Sequence, residues 1–310
     1  MDALDARILQ QLGVEPFAGF GHRPQGFRAT DVARALGRNV RLVQDRITRM
    51  EEGGVITGYA MVPNPRHFGL ELTTLYVPTK VAADRSMMEA MSELDGFVQV
   101  IAYLGEGICL SMSHQTADEL ERRMRSASRL AGDAGPTRPM YGHALPRVTR
   151  ELTTLDWRII AALAADAKRT LSDVADDVGV TVKTLRARLK RLRDEGSVDE
   201  VAKLDFSRIE GIMPFEVAVW CDDPEATATR LVGRLHENYW GHFMGPPGGY
   251  CDVLFRVFTS TPAEANHLVR VATAVAGVRE ATPLMAAGAH DDPSWIAEAI
   301  GMHLAAGTEA

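Results

Sequence analysis

Lys183, Arg186, Arg188, Lys190, Arg191 and Arg193 crowd one short stretch with no acid among them, although the 310-residue chain carries a formal charge of −7. Cations at that density are the groups that neutralise phosphates. Their reach depends on the local field of a basic stripe and not on the sum over the surface. A run of Lys and Arg is equally the composition of a solvated helix face. What separates the two is the side of the helix that the charges occupy.

Positions i, i+3, i+7 and i+10 share one face of a helix. Val182, Leu185, Leu189 and Leu192 fall on it and form a buried stripe, which leaves Lys183, Thr184, Ala187, Lys190 and Arg191 on the opposite side. Arg186 and Arg188 flank the stripe, where their aliphatic stems can lie along it. Thr181 stands where a hydroxyl caps the first free N–H groups, and Gly196 ends the helix. Upstream, Ser172, Val174, Ala175 and Val178 mark a shorter helix closed by Gly179. "LDWRIIAAL" (Leu155 to Leu163) supplies a third helix, with Leu155, Ile159, Ile160 and Leu163 facing inward. "SVDEVAKLDF" alternates as a strand or wing.

The pattern occurs twice. "ATDVARALGRNVRLVQDRITRMEEGGVI" (Ala29 to Ile56) matches Leu171 to Val198 without a gap, and the register holds as far as Gly69 and Gly211. The buried stripe recurs as Val40, Val43, Ile47 and Met50, and the cap as Asn39. "LDARILQQL" (Leu4 to Leu12) answers "LDWRIIAAL", but a longer connection containing "FAGFGHRPQGFR" follows it. Its His22, Arg23 and Arg28 make that loop either a basic arm for phosphate or minor groove, or a plain surface insertion.

These residues resemble the leucine-responsive/AsnC, or feast/famine, transcriptional regulators. The likeness rests on the "LDxRII" helix, on "SDVADDVGVTVKTLRARLKRLRDEGSV" and on the glycine after the wing, and is looser in the first repeat. After each helix-turn-helix the elements follow the order βαββαβ, the ferredoxin-like split arrangement, which resembles that family's ligand-responsive domain. The expected fold is α+β: two winged helix-turn-helix domains (1–65 and 152–208) alternating with two ferredoxin-like domains (66–147 and 212–290), then a C-terminal helix (291–310). That helix carries Ile296, Ile300 and Leu304 on one side.

The resemblance implies double-stranded DNA as partner. In the second repeat Thr181, Lys183, Thr184 and Ala187 would lie near base edges, with Lys190 and Arg191 toward phosphates; Arg188 either joins this DNA-binding set or lies along the stripe instead. The corresponding residues of the first repeat are Asn39, Arg41, Arg46 and Arg49. Between the repeats Thr184 becomes Leu42, Ala187 becomes Asp45 and Lys190 becomes Thr48, so the second is expected to make the stronger contact. Family regulators pair through their ligand domains. Two arrangements remain open, an internal pseudo-dimer and pairing between chains as a homo-oligomer. An amino-acid-like effector is implied at the turn between the middle strands, where Gly248, Gly249, Tyr250 and Asp252 resemble the family's motif with the spacing one residue off. "GEGIC" (Gly105 to Cys109) lacks both Tyr and Asp.

Other chemistry finds less support. Cys109, Cys221 and Cys251 are odd in number and lack the spacing of a disulfide framework. Cys221, Cys251, His236 and His242 share one domain but no metal-ligand spacing, and neither a metal nor a cofactor is expected. No phosphate-binding loop or Ser/His/Asp triad is recognisable. Two other readings fit the same fold: a siroheme-decarboxylase-like enzyme, to whose pocket "HENYWGHFMGPPGGY" could contribute, and an architectural DNA-coating protein. No apolar run reaches the ~18 residues of a membrane span, and no secretory leader is visible, so a cytoplasmic protein is expected.

Overall fold

The computed structural model describes residues 1–13, 27–105, 107–235, 238–291 and 294–306. Most of the "FAGFGHRPQGFR" insertion, with His22 and Arg23, lies outside them, as does His236. The chain runs through α1 (Ala3–Leu12), α2 (Ala29–Leu36), α3 (Val40–Glu52), β1 (Ile56–Pro63), β2 (Glu71–Val77) and α4 (Arg85–Ser92). Next come β3 (Phe97–Tyr103), β4 (Ile108–His114), α5 (Ala117–Leu130) and β5 (Arg138–Gly142). The second half repeats the order with α6 (Thr154–Ala164), α7 (Leu171–Val178), α8 (Val182–Asp194), β6 (Val198–Leu204), β7 (Met213–Cys221) and α9 (Pro224–Leu235). It ends with β8 (Tyr239–Met244), β9 (Val253–Thr259), α10 (Pro262–Thr273), β10 (Val278–Leu284), β11 (Ala286–Asp291) and α11 (Ser294–Ala306).

Two compact units result, and each gathers like elements from both halves. One comprises Met1–Ala6, Glu71–His143 and Ile209–Asp292; the other comprises Arg7–Leu70, Ala144–Arg208 and Pro293–Ala310.

The helical unit contains the helix-turn-helix elements. Ile159, Ile160 and Leu163 of α6 pack with Val174 and Val178 of α7 and with Leu185, Leu189 and Leu192 of α8, and α11 lays Ile296, Ile300 and Leu304 against them. Gly179 and Gly37 end their helices at φ +72° and +61°. That left-handed conformation penalises any residue with a Cβ. The expected stripe of the first repeat needs one correction: Val43, Ile47 and Met50 are buried, but Val40 is 43% exposed at the first turn of α3. Its counterpart Val182 packs only partly against the core.

The segment after α8 is a strand, as its alternation predicts. Each repeat contributes a single strand, and β1 and β6 pair with each other antiparallel, placing Tyr59 opposite Ala202 and Met61 opposite Glu200. A lone strand leaves a row of unpaired N–H and C=O groups, and here each repeat satisfies the other's. Lys168, in the loop before α7, strengthens the joint: its Nζ lies 2.5 Å from Glu51 Oε1 and 3.8 Å from the centre of the Tyr59 ring.

In the other unit the strand orders are β10-β7-β9-β8 and β11-β3-β4-β2-β5. Within each half this is the order fourth, first, third, second that split βαβ units produce. Helices cover one face of each sheet: α4 and α5 in the first half, α9 and α10 in the second. On the helix-free faces Tyr103, Cys109, Met140 and Tyr141 meet Ala218, Cys251, Leu254 and Leu284 in a shared core. Strand β11 extends the first half's sheet by pairing with β3, although its Ala- and Gly-rich residues carry no strand pattern. None of the described helices is long and apolar enough to cross a membrane.

Candidate nucleic-acid interface and effector turn

Backbone chemistry sets the start of each recognition helix. The Thr181 hydroxyl accepts from the Thr184 N–H at 3.1 Å. The Asn39 side chain accepts from the N–H groups of Arg41 and Leu42 at 2.8 and 3.3 Å. A cap of this kind is worth about 1 kcal/mol, and it leaves the next residues free to face outward. Thr181, Lys183, Thr184, Ala187, Lys190 and Arg191 are all exposed, as are Asn39, Arg41 and Arg49, while Arg46 and Arg188 are half-buried.

The exposed cations are not equally available. Lys190 is paired with Asp194 one turn on. Arg188 turns inward to donate to Asp156 Oδ1 at 3.0 Å and to the Thr153 hydroxyl at 3.1 Å. Arg191 reaches the same carboxylate at 3.4 Å, and Arg150, from the segment preceding α6, donates to its other oxygen at 3.1 Å. Asp156 is fully buried. Burial acts to raise its pKa, but the Thr153 N–H and hydroxyl and the Arg188 and Arg150 guanidinia hold the carboxyl at about 2. Thr153 and Asp156 also form the capping box of α6. One carboxylate therefore anchors α6, the preceding segment and the recognition helix together. Sequence reasoning missed this hub, although an Asp inside an apolar helix stripe and the Thr-x-x-Asp spacing both signal it.

On α3 the corresponding outward face holds Leu42, 40% exposed, and Asp45. An acid there repels phosphate and the electronegative guanine edge, although it can accept from cytosine N4.

The candidate effector motif lies in the β-rich unit. Gly248 turns the chain at φ +74°, and a Cβ on Gly249 would stand 2.7 Å from the Pro139 carbonyl. Tyr250 donates its N–H to Pro139 O at 2.8 Å and stacks on Tyr76 with ring centroids 3.8 Å apart. The Trp220 indole N–H donates to the Tyr250 carbonyl at 2.7 Å. Asp252 Oδ2 accepts the Cys221 N–H at 2.7 Å and Arg279 at 3.1 Å. The carboxylate expected to meet an effector's amine thus already holds a guanidinium. The three cysteines are buried free thiols, and His242 Nδ1 lies 2.7 Å from the Tyr239 hydroxyl. Among the described residues no group of His, Cys, Asp and Glu is placed to hold a metal ion.

Residues 152–193, spanning α6 to near the end of α8, match the AsnC-type helix-turn-helix domain. The chain is 30% identical over 118 residues to the HTH-type transcriptional regulator Ptr1 of Methanocaldococcus jannaschii, a match covering 36% of this chain and 72% of that protein. Among solved structures it is similar to the siroheme decarboxylase NirDL, with TM-score 0.55 and 12% identity, over 97% of this chain and 99% of the other. The same decarboxylase in complex with an iron-uroporphyrin III analogue gives TM-score 0.54, again at 12% identity and over 97% of this chain and 100% of the other. At that identity the similarity is one of fold. The match over α6 to α8 defines an AsnC-type helix-turn-helix protein. The chain belongs to the leucine-responsive/AsnC family of transcriptional regulators.

Proposed function

We propose that the chain is a sequence-specific transcriptional regulator. It is a tandem of two helix-turn-helix domains (1–65 and 152–208) and two ferredoxin-like domains (66–147 and 212–290), completed by a C-terminal helix (291–310). The observation that carries the proposal is the outward face of α8, where Lys183, Thr184, Ala187, Lys190 and Arg191 are exposed within the segment matching the AsnC-type domain. In this reading Thr181, Lys183, Thr184 and Ala187 face base edges and Lys190 and Arg191 meet phosphates, while Arg188 chiefly holds the helix in place through Asp156. The first repeat binds more weakly through Asn39, Arg41, Arg46 and Arg49. Genome-wide footprinting with the purified protein tests it. Discrete sites, with half-site centres about 10 bp apart or a multiple of that, are the expected result. Uniform coverage would instead favour an architectural DNA-coating protein.

Regulation by an amino-acid-like effector at Gly248, Gly249, Tyr250 and Asp252 is part of the proposal. There an amine must displace Arg279 from Asp252. Equal affinity of wild type and Asp252→Ala for the effector would remove this site.

One observation favours a second reading, a siroheme-decarboxylase-like enzyme: the similarity of fold extends over nearly the whole chain. Adding an iron porphyrin to the purified protein separates the two. A shifted Soret band together with release of carbon dioxide would favour the enzyme, and an unchanged spectrum the regulator.

A further inference from the structure

The core shared by the two sheets contains a charged pair that only one half supplies. Glu216 on β7 and Arg256 on β9 are cross-strand neighbours. Arg256 Nε donates to Glu216 Oε1 at 2.8 Å. The partners that complete this pair come from the other half. The Tyr103 hydroxyl donates to Glu216 Oε2 at 2.5 Å, and Arg256 donates to the Tyr141 hydroxyl at 3.0 Å. Glu216 is 7% exposed, and Tyr103 and Tyr141 are at most 2% exposed. Burial raises the Glu216 carboxyl to about 7 and lowers Arg256 to about 10, so desolvation opposes both charges.

The internal repeat identifies the corresponding positions. Thr74 and Ser111 face each other across β2 and β4 as Glu216 and Arg256 do across β7 and β9. Their hydroxyls lie 2.9 Å apart, a neutral pair in place of a charged one. Tyr141 is opposite Thr74, as Leu284 is opposite Glu216. Tyr103 bonds Gly107 through its N–H as Gly245 bonds Asp252. The first half therefore carries Thr, Ser, Tyr and Tyr where the second carries Glu, Arg, Leu and Gly.

We propose that this asymmetric set is a pairing code that makes each first half pair with a second half and excludes like-with-like assembly through this face. Pairing two second halves would set Glu216 and Arg256 against Leu284 and Gly245, without either phenol, and two-fold symmetry would impose the loss twice. Pairing two first halves would set Tyr103 and Tyr141 against Thr74 and Ser111, without the charges they complement. A buried ion pair contributes little net stability but penalises partners that leave it unmatched. Hydrophobic burial alone would admit all three pairings.

The test starts from the folded full-length chain with a specific protease site inserted at the exposed residues 147–149. After cleavage, unlabelled and 15N-labelled samples are mixed, and native mass spectrometry reads which halves associate. The expected result is first-with-second pairs of every label combination, with like pairs scarce. Glu216→Thr with Arg256→Ser copies the neutral pair into the second half. It is expected to raise the ratio of like to unlike pairs at least about tenfold, the factor for one buried polar group no longer left unmatched. Tyr103→Phe with Tyr141→Phe conserves shape and should move the ratio in the same direction, which covers the case in which the first variant does not fold. Statistical mixing in the wild type, or a folded variant of either kind with the wild-type ratio, would overturn the code.

Discussion

The recognition helices α3 and α8 start from side-chain caps at Asn39 and Thr181 and bury the same periodic positions, Val43, Ile47 and Met50 in one and Leu185, Leu189 and Leu192 in the other. Outwardly they differ: Leu42 and Asp45 stand on α3 where Thr184 and Ala187 stand on α8. The inner face is held by packing and capping, which decide whether a helix forms. On the outer face Arg191 is tied to Asp156, whereas Thr184 and Ala187 are exposed and can differ from Leu42 and Asp45 without altering the fold. Under the proposed function similar backbones would carry two strengths of contact, while the first repeat still contributes β1 to the joint between the repeats.

The largest effect that would sharpen this contrast is expected at Asp156. Asp156→Asn leaves Arg150, Arg188 and Arg191 facing an amide in a buried place, and should cost about 3 kcal/mol of stability in chemical denaturation. The same carboxylate governs acid stability. Its folded pKa of about 2 lies below the ordinary value of 3.8. Its contribution, about 2 kcal/mol, is therefore complete above pH 3.8 and is lost as pH falls through 2. A denaturation series from pH 5 to pH 2 should show wild type and Asp156→Asn converging.

Asp45→Ala removes the acid from the outward face of α3. It should tighten DNA binding roughly fivefold, the factor for about 1 kcal/mol at an exposed site, as read by fluorescence anisotropy. No change in affinity would mean that α3 stands clear of DNA. The caps are expected to be equivalent: Asn39→Ala and Thr181→Ala should each cost about 1 kcal/mol in thermal unfolding. A much larger loss at one of them would show that the scaffolds differ as well as the surfaces.

Much of the scaffold was legible because periodicity and punctuation report local structure. Val174, Val178, Leu185, Leu189 and Leu192 follow helical spacing, and Gly37 and Gly179 mark the turns. The joint between repeats was not legible: pairing of β1 with β6 links residues far apart in the chain, and nothing in either strand names its partner. The same holds for Tyr103 with Glu216 and Tyr141 with Arg256, whose complementarity exists only once the sheets meet. Strand β11 carried too little pattern in Ala286 to Ala289. On α8 the spacing located the exposed face and set Arg188 beside the buried stripe but did not reveal its bond to Asp156, since a helical wheel places Cβ atoms and not the ends of long side chains. At the turn holding Gly248, Gly249 and Tyr250 the chain showed the glycines but not Arg279, which reaches Asp252 from β10.

The second repeat is proposed to carry the stronger DNA contact. The salt dependence of binding tests it most directly, because each neutralised phosphate contributes about −0.9 to the slope of log K against log salt. Lys183→Ala, Lys190→Ala and Arg191→Ala combined should flatten that slope by roughly 2–3 units. The combination Arg41→Ala, Arg46→Ala and Arg49→Ala should flatten it less. A greater loss of slope and affinity in the first-repeat variant would reverse the ranking of the two helices and reduce the charge on α8 to a solvated face.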